Sequence, residues 1–361
     1  MGLDKTADDH KHMLHALTLA AKGAGRCSPN PMVGCVVVKN SKVIASGYHQ
    51  KSGSDHAEIN ALKKIKYHAV GTTMYVTLEP CCHFGKTPPC VDAVIRSGIK
   101  RVVIAMQDPN PLTNGRSIKK LEAAGIKVSV GICGDQAKQL NRFFIKAITK
   151  KRPYVIVKVA QSLDGKISTH KGKQGWITGE RAKGYVQDLR SKVDAVMVGR
   201  GTVKIDNPML NVRDARRPQP KRVILDPQLT VSLESLLFKV PGGDVVLVCG
   251  LSTEHRRVLS FKKHGVVVLC VKKNQRGGLD LDDALLCLYK NGINSVLVEG
   301  GAKVFSSFAR SNLVDEWQFI VAPRVVGSQG LGAFEGAGPV GFKVLGTGRL
   351  GDDILICASS R

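Results

Sequence analysis

The sequence predicts two consecutive α/β units, each a sheet with helices packed on it, and three observations carry that expectation. The chain has 361 residues, more than one hydrophobic core usually organises. Apolar residues make up 43%, ordinary for a globular protein and ample for two cores. Apolar β-rich runs alternate with helical patterns over most of the length. A charge run with a proline, TKKRPY, interrupts the alternation, so the units are expected at 1–150 and 151–361.

In the first unit, DDHKHMLHALTLAAKGAG sets Met13, Leu14, Leu17, Leu19 and Ala20 near helical spacing and ends on glycine, a common stop. VGCVVVKN and KVIASGYH, parted by NS, read as a hairpin. Helix HAEINALKKIKY, strand TMYVTLE, helix CVDAVIRSG and strand RVVIAMQ follow. Helix SIKKLEAAG, strand IKVSVGI and one last helix from Gln136 to about Lys150 complete a helix–sheet–helix sandwich. The second unit opens with strand YVIVKVA and continues through AVMVGR, RVILD, DVVLVC, VVVLCV and NSVLVEGG, with helices between several of them. It closes on EWQFIVAPRVVG and DILICAS. Continuous apolar runs of this kind predict a mostly parallel sheet covered on both faces.

Composition narrows the function classes. No run approaches the roughly 20 apolar residues of a membrane span, and the opening MGLDKTADDHKHM has no apolar signal core. A reducing cytoplasm is therefore expected, and the ten cysteines are read as thiols rather than a disulfide framework. Cys249 and Cys270 lie in apolar runs, where cysteine packs as a small hydrophobe. Lys and Arg number 54 against 29 Asp and Glu, a net charge of +25 that suits anionic partners. The cations are spread along the chain and aromatics are only 5%, so phosphorylated small molecules fit better than nucleic acid.

The stretch TLEPCCHFGKTPPC, from Thr77 to Cys90, concentrates three cysteines. Upstream, DHAEINALKKI places His56 and Glu58 at the start of a predicted helix. A catalytic zinc keeps three protein ligands, and His56 with two thiolates supplies that number. Glu58, two residues on, can take a proton from water and pass it to a leaving amine. A helix beginning near Pro88–Cys90 would favour thiolate at its N-terminal end. The competing reading makes His56 a helix cap and the cysteines packing residues. Zinc deaminases carry a His-x-Glu with a Pro-Cys-x-x-Cys; here HAE is intact, but the next spaced cysteine after LEPC is Cys90.

NPMVGCVVV, GYHQKSGSDHAE, YVTLEPCCHFGKTPPC and MQDPNP together resemble the deaminase half of the bifunctional riboflavin-biosynthesis deaminase–reductases. The insertion HFGKTPP between the cysteines separates that family from cytidine and tRNA-adenosine deaminases. The resemblance implies a cytidine-deaminase-like α/β/α sandwich in which His56, Cys81 and Cys90 hold Zn2+ and Glu58 is catalytic. It places substrate contacts on Asn30, His49, His83 and Lys86, and leaves Cys82 a bystander.

The second unit has no GxGxxG after its first strand, so a Rossmann site is not expected. KVAQSLDGKIS, QGWITGE, VGRGTVKIDNPMLNVR and VEGGAKVFSSF resemble the reductase half of the same family, which implies a dihydrofolate-reductase-like α/β domain. Read from its residues, GRGTVKIDNP is a strand followed by a polar loop, and VEGGAKV is a strand, a glycine pair and a helix start. The resemblance implies NADPH contacts at Ala160, Trp176, Thr202, Asp206, Gly300 and Gly301. It implies substrate contacts at Gln174, Arg190, Leu210, Arg213 and Glu299, with the arginine forks suited to phosphate. The expected activity is deamination of 2,5-diamino-6-ribosylamino-4(3H)-pyrimidinone 5-phosphate, then NADPH-dependent reduction of ribosyl to ribityl. The expected partner is this phosphorylated pyrimidine, not nucleic acid or membrane, and a homo-oligomer is expected. The alternative is a tRNA deaminase with an appended RNA-binding domain.

Overall fold

The computed structural model describes residues 2–85, 88–171 and 175–360, with side chains from Ala7 onward, so Lys86 and Gln174 lie outside the described residues. The chain divides into two compact units, Met1–Lys151 and Arg152–Arg361.

The first unit runs α1 (Gly2–Ala21), β1 (Gly34–Lys39), β2 (Lys42–Tyr48), α2 (Ala57–Lys64), β3 (Thr73–Val76), α3 (Cys90–Arg96), β4 (Arg101–Ile104), α4 (Arg116–Ala123), β5 (Lys127–Val130), α5 (Gly134–Leu140) and α6 (Arg142–Lys150). Its sheet has the order β2-β1-β3-β4-β5. β1 is antiparallel to both neighbours, and β3, β4 and β5 are parallel. Asn40 and Ser41, both at positive φ, make the two-residue turn of the β1–β2 hairpin, whose twist such turns match. Met13 and Ala16 of α1, Val36 and Val37 of β1, and Leu62 of α2 are wholly buried in one core. Gly47 lets α2 lie directly on β2, because a Cβ there would stand 2.5 Å from the Ala57 carbonyl oxygen. That close seat fixes the start of α2, where His56 and Glu58 sit.

The single helix expected from Gln136 to Lys150 is two helices. Asn141 leaves helical geometry at φ −98°, ψ 18°. Its buried side chain accepts from Met32 N–H (2.8 Å) and donates to Met32 C=O (2.9 Å), clasping the segment that carries Asn30.

The second unit contains β6 (Tyr154–Ser162), β7 (Lys166–Ser168), α7 (Glu180–Arg190), β8 (Ala195–Gly199), α8 (Arg200–Asp206), β9 (Lys221–Leu225), α9 (Leu236–Lys239), β10 (Val245–Gly250) and α10 (His255–Lys263). It continues with β11 (Val267–Val271), α11 (Leu281–Lys290), β12 (Ser295–Gly300), α12 (Ala302–Ser311), β13 (Glu316–Ala322), β14 (Leu331–Gly332), β15 (Phe342–Leu350) and β16 (Asp353–Ser360). Nine strands form one sheet in the order β11-β10-β9-β8-β12-β6-β13-β16-β15. From β11 to β13 every pairing is parallel, and β16 and β15 close the sheet antiparallel. Trp317 is fully buried and stacks on Phe319, with Phe334 and Phe342 against it.

Two expectations are corrected in this unit, and one strand was not foreseen. RGTVKID is not a loop after its strand but the helix α8, with Val203 buried. Cys270 is exposed because β11 is an edge strand, while its register partner Cys249, whose Sγ lies 3.6 Å away, is buried. β15 escapes an apolar-run reading because its residues are nearly all exposed, with a register break between Val344 and Gly346. All ten cysteines are free thiols. Among the described residues no helix is long and apolar enough to cross a membrane.

Candidate active sites

In the first unit the sheet brings together side chains far apart in sequence. His56 is the N-cap of α2, in extended conformation, and Cys90 opens α3 behind Pro89. His56 Nδ1 lies 3.6 Å from Cys81 Sγ and 3.3 Å from Cys90 Sγ, and the Cys90 N–H donates to Cys81 Sγ at 3.3 Å. The three ligand atoms lie within 4.8 Å of one another, and among the described residues no other group of three His, Cys, Asp or Glu converges this way. Zinc bonds of about 2.0–2.3 Å in a tetrahedral site place neighbouring ligand atoms roughly 3.3–3.8 Å apart. The donor set and its spacing therefore fit zinc.

The electrostatics suit a cation. The Cys90 thiol, first, and then His56 and the Cys90 N–H hold the Cys81 thiol down to about 4. Cys90 is pushed well above the ordinary thiol range, chiefly because its proton serves Cys81 and then because it is buried. Glu58, in the first turn of α2 and 3% exposed, is pushed up to about 7 by burial and then by the Cys81 charge. A carboxyl held near neutrality can both take and return a proton.

His49 is buried and meets the His56 ring edge-on at 5.2 Å. Its Nδ1 lies 3.1 Å from Asp55 C=O, which can only accept, so Nδ1 carries the proton. Nε2 then accepts from Asn30 Nδ2 at 3.2 Å. Burial, first of the causes, lowers the His49 pKa and keeps the ring neutral. The pair leaves the Asn30 amide oxygen as an acceptor. His83 Nδ1 lies 3.3 Å from Thr113 Oγ1, while Cys82 Sγ donates to Leu112 C=O at 3.5 Å and stands outside the cluster.

The second unit gathers two groups. Glu299 on β12 accepts from Arg190 Nε at 2.6 Å and Nη2 at 3.1 Å, and Lys158 Nζ on β6 is 3.4 Å away. Arg190 Nη1 donates to Asn211 C=O at 3.0 Å. Burial alone raises the Glu299 pKa, but Arg190 and then Lys158 outweigh it and hold the carboxyl at about 2. Nearby, Thr202 Oγ1 would stand 3.1 Å from a Cβ at Gly300 and 3.2 Å from one at Gly301, and Gly301 has φ +88°. The β12–α12 turn is thus bare backbone facing Thr202, as close approach of a phosphorylated ligand requires.

Of the remaining expected positions, Ala160 lies on β6 opposite Ile320, and Asp206 ends α8 with its pKa raised by burial. Trp176 is 61% exposed, not a core residue, and Lys183 Nζ lies 4.8 Å from its ring centre. Leu210 is buried at positive φ, and Arg213 is exposed, with its N–H bonded to Gln187 Oε1. The ion pair tying Arg190 to Glu299 is not visible in spacing, because 109 residues separate the partners. Glu79 is likewise unmarked by spacing, yet it is 3% exposed and accepts from three backbone N–H groups.

Comparison with known proteins agrees with both units. Residues 6–106 match the cytidine and deoxycytidylate deaminase zinc-binding region, and residues 153–356 match the RibD C-terminal domain. The second unit thus matches a reductase-family domain and not the RNA-binding domain of the alternative. The riboflavin biosynthesis protein RibD of Actinobacillus pleuropneumoniae is 41% identical over 360 residues, covering 98% of this chain and 95% of its own. That of Aquifex aeolicus is 43% identical over 320 residues, 88% of each chain. Among solved structures, Acinetobacter baumannii RibD superposes with TM-score 0.90 at 37% identity over 99% of both chains. The diaminohydroxyphosphoribosylaminopyrimidine deaminase/5-amino-6-(5-phosphoribosylamino)uracil reductase of Thermotoga maritima gives 0.89 at 37%, over 99% of this chain and all of its own. With a deaminase zinc-binding region followed by the reductase domain along nearly its whole length, this chain belongs to the RibD family of bifunctional deaminase–reductases of riboflavin biosynthesis.

Proposed function

We propose that the His56–Cys81–Cys90 cluster is the deamination centre and that Lys158, Arg190 and Glu299 form the floor of the reduction site. The observation that carries the first assignment is the convergence of one imidazole and two thiols at zinc spacing, with Glu58 buried two residues after His56 in the first turn of α2. Zinc, when held there, supplies the Lewis acidity that makes water a nucleophile at neutral pH. The Glu58 carboxylate takes the proton from water and returns it to the leaving amino group, so that oxygen replaces nitrogen on the ring and ammonia departs. Asn30, steadied by neutral His49, offers its amide oxygen to the pyrimidine edge. His83, with Lys86, meets the 5-phosphate of 2,5-diamino-6-ribosylamino-4(3H)-pyrimidinone 5-phosphate.

For the second reaction, NADPH supplies the hydride. The bare Gly300–Gly301 turn with Thr202 suits its phosphates, and the exposed Trp176 ring and Asp206 flank the same binding role. Reduction of the ribosyl carbon opens the sugar and leaves a ring oxygen needing a proton. Lys158 Nζ, 10% exposed and 3.4 Å from Glu299, is placed as its donor. Arg190 is committed to Glu299, which leaves the exposed Arg213 fork as the better phosphate ligand. Leu210, buried, stands three residues before it.

Purified protein with zinc and NADPH, given the diaminopyrimidinone phosphate, should release ammonia and then oxidise NADPH. Silence in both assays overturns the assignment.

A further inference from the structure

We infer that Glu79 is the positioning residue of the deaminase site, docking the 108–117 loop against the Cys81–His83 turn and through that loop setting the His83 ring. The inference rests on the assignment of His83 to the substrate phosphate.

Glu79 stands two residues before Cys81, and its own N–H donates to Met106 C=O at 3.0 Å. Its Oε2 accepts from the Asp108 N–H at 3.2 Å and the Gly115 N–H at 2.9 Å, and its Oε1 from the Ser117 N–H at 3.1 Å. One buried carboxylate thus gathers donors from both ends of the loop. The last two belong to the start of α4, whose N-cap, Gly115, has no side chain to cap with. Glu79 provides that acceptor from another element, with its negative charge at the favourable end of the helix. Ser117 Oγ adds a 2.5 Å bond to Pro80 C=O, a second tie to the same strand end.

The loop is braced within itself. Asn110 N–H donates to Asp108 Oδ1 at 2.9 Å, and the Thr113 and Asn114 N–H groups both donate to Asn110 C=O at 2.9 Å. What Glu79 fixes on one side, the loop delivers on the other. Leu112 C=O receives the Cys82 thiol at 3.5 Å, and Thr113 Oγ1 sits 3.3 Å from His83 Nδ1. A carboxylate with three backbone donors is hard to replace, because an amide in its place offers N–H to N–H on one side.

The test uses full-length zinc-loaded protein with Glu79→Gln, Glu79→Asp, His83→Gln and the Glu79→Gln/His83→Gln double variant, measured for ammonia release. Glu79→Gln should raise KM for the phosphorylated pyrimidine on the order of tenfold, the scale of losing charged hydrogen bonds. Zinc content and reductase rate should hold, and kcat should move far less than KM. Glu79→Asp, which keeps the charge but falls short of the farther donors, should show a smaller KM rise; it carries the test alone if the glutamine variant does not fold. The double variant should be no worse than the poorer single, since both act on one contact. Additive effects overturn the inference, as does a fall of kcat and zinc content together at unchanged KM. A His83→Gln variant with normal KM refutes the His83 assignment itself, and the inference falls with it.

Discussion

Arg190 donates two hydrogen bonds to Glu299, at 2.6 and 3.1 Å, and so ties the last residue of α7 to the end of β12 beside the Gly300–Gly301 turn. The pair is mostly buried, with side chains 15% and 7% exposed. Arg190→Ala should therefore destabilise the reductase unit by about 3–5 kcal/mol, because it strands a buried carboxylate with only Lys158. Urea unfolding at pH 7 measures it.

The same carboxyl dictates a pH dependence. Its folded pKa of about 2 lies below its ordinary 4.5, so the stabilisation is complete above pH 4.5 and vanishes as pH falls toward 2. The stability gap between wild type and Glu299→Gln should be widest near neutrality and close on acidification. A gap that stays constant down to pH 3 would contradict the ion pair as its source.

Glu58→Gln should cut ammonia release by roughly 10²–10⁴-fold, the usual worth of a positioned general base. Zinc content should stay level, because Glu58 is not among the converging ligand atoms. NADPH oxidation on the deaminated substrate should be unaffected.

Cys81→Ser and Cys90→Ser should each weaken zinc binding by more than the roughly 10–100-fold that outer-shell changes cost. Cys82→Ala should retain zinc, since its thiol points to Leu112 C=O instead. Metal analysis after dialysis separates the three.

Gly301→Ala should raise KM for NADPH while leaving ammonia release intact. Its φ of +88° costs an alanine on the order of 1–3 kcal/mol, and the new Cβ would press on Thr202 Oγ1. Steady-state kinetics of the two half-reactions give the comparison.

Much of this was legible from residue order alone. The β1–β2 hairpin, the strand–glycine–helix turn at Gly300–Gly301 and the start of α3 at Cys90 are local features, with signals inside a short window. What stayed hidden is non-local or runs against pattern. The break at Asn141 depends on Met32, over a hundred residues earlier, and the helix α8 looks like a loop because Gly201 and polar residues fill most of its seven positions. The metal cluster is readable as residue types, yet its 3.3 and 3.6 Å contacts exist only once the sheet has aligned α2 with α3. Glu79 shows the limit best, since all three of its loop partners are backbone N–H groups that any sequence would offer.

The exposed strand β15 has a consequence for how copies of this protein meet. A sheet margin is a template on which another chain can add a strand. Here that margin carries Lys343 and Arg349, two glycines at 346 and 348, and a skipped register after Val344. An incoming strand would find an uneven hydrogen-bond row and like charges facing its own. The margin can therefore remain open, with Val344 and Leu345 in water, without recruiting neighbours into a fibril.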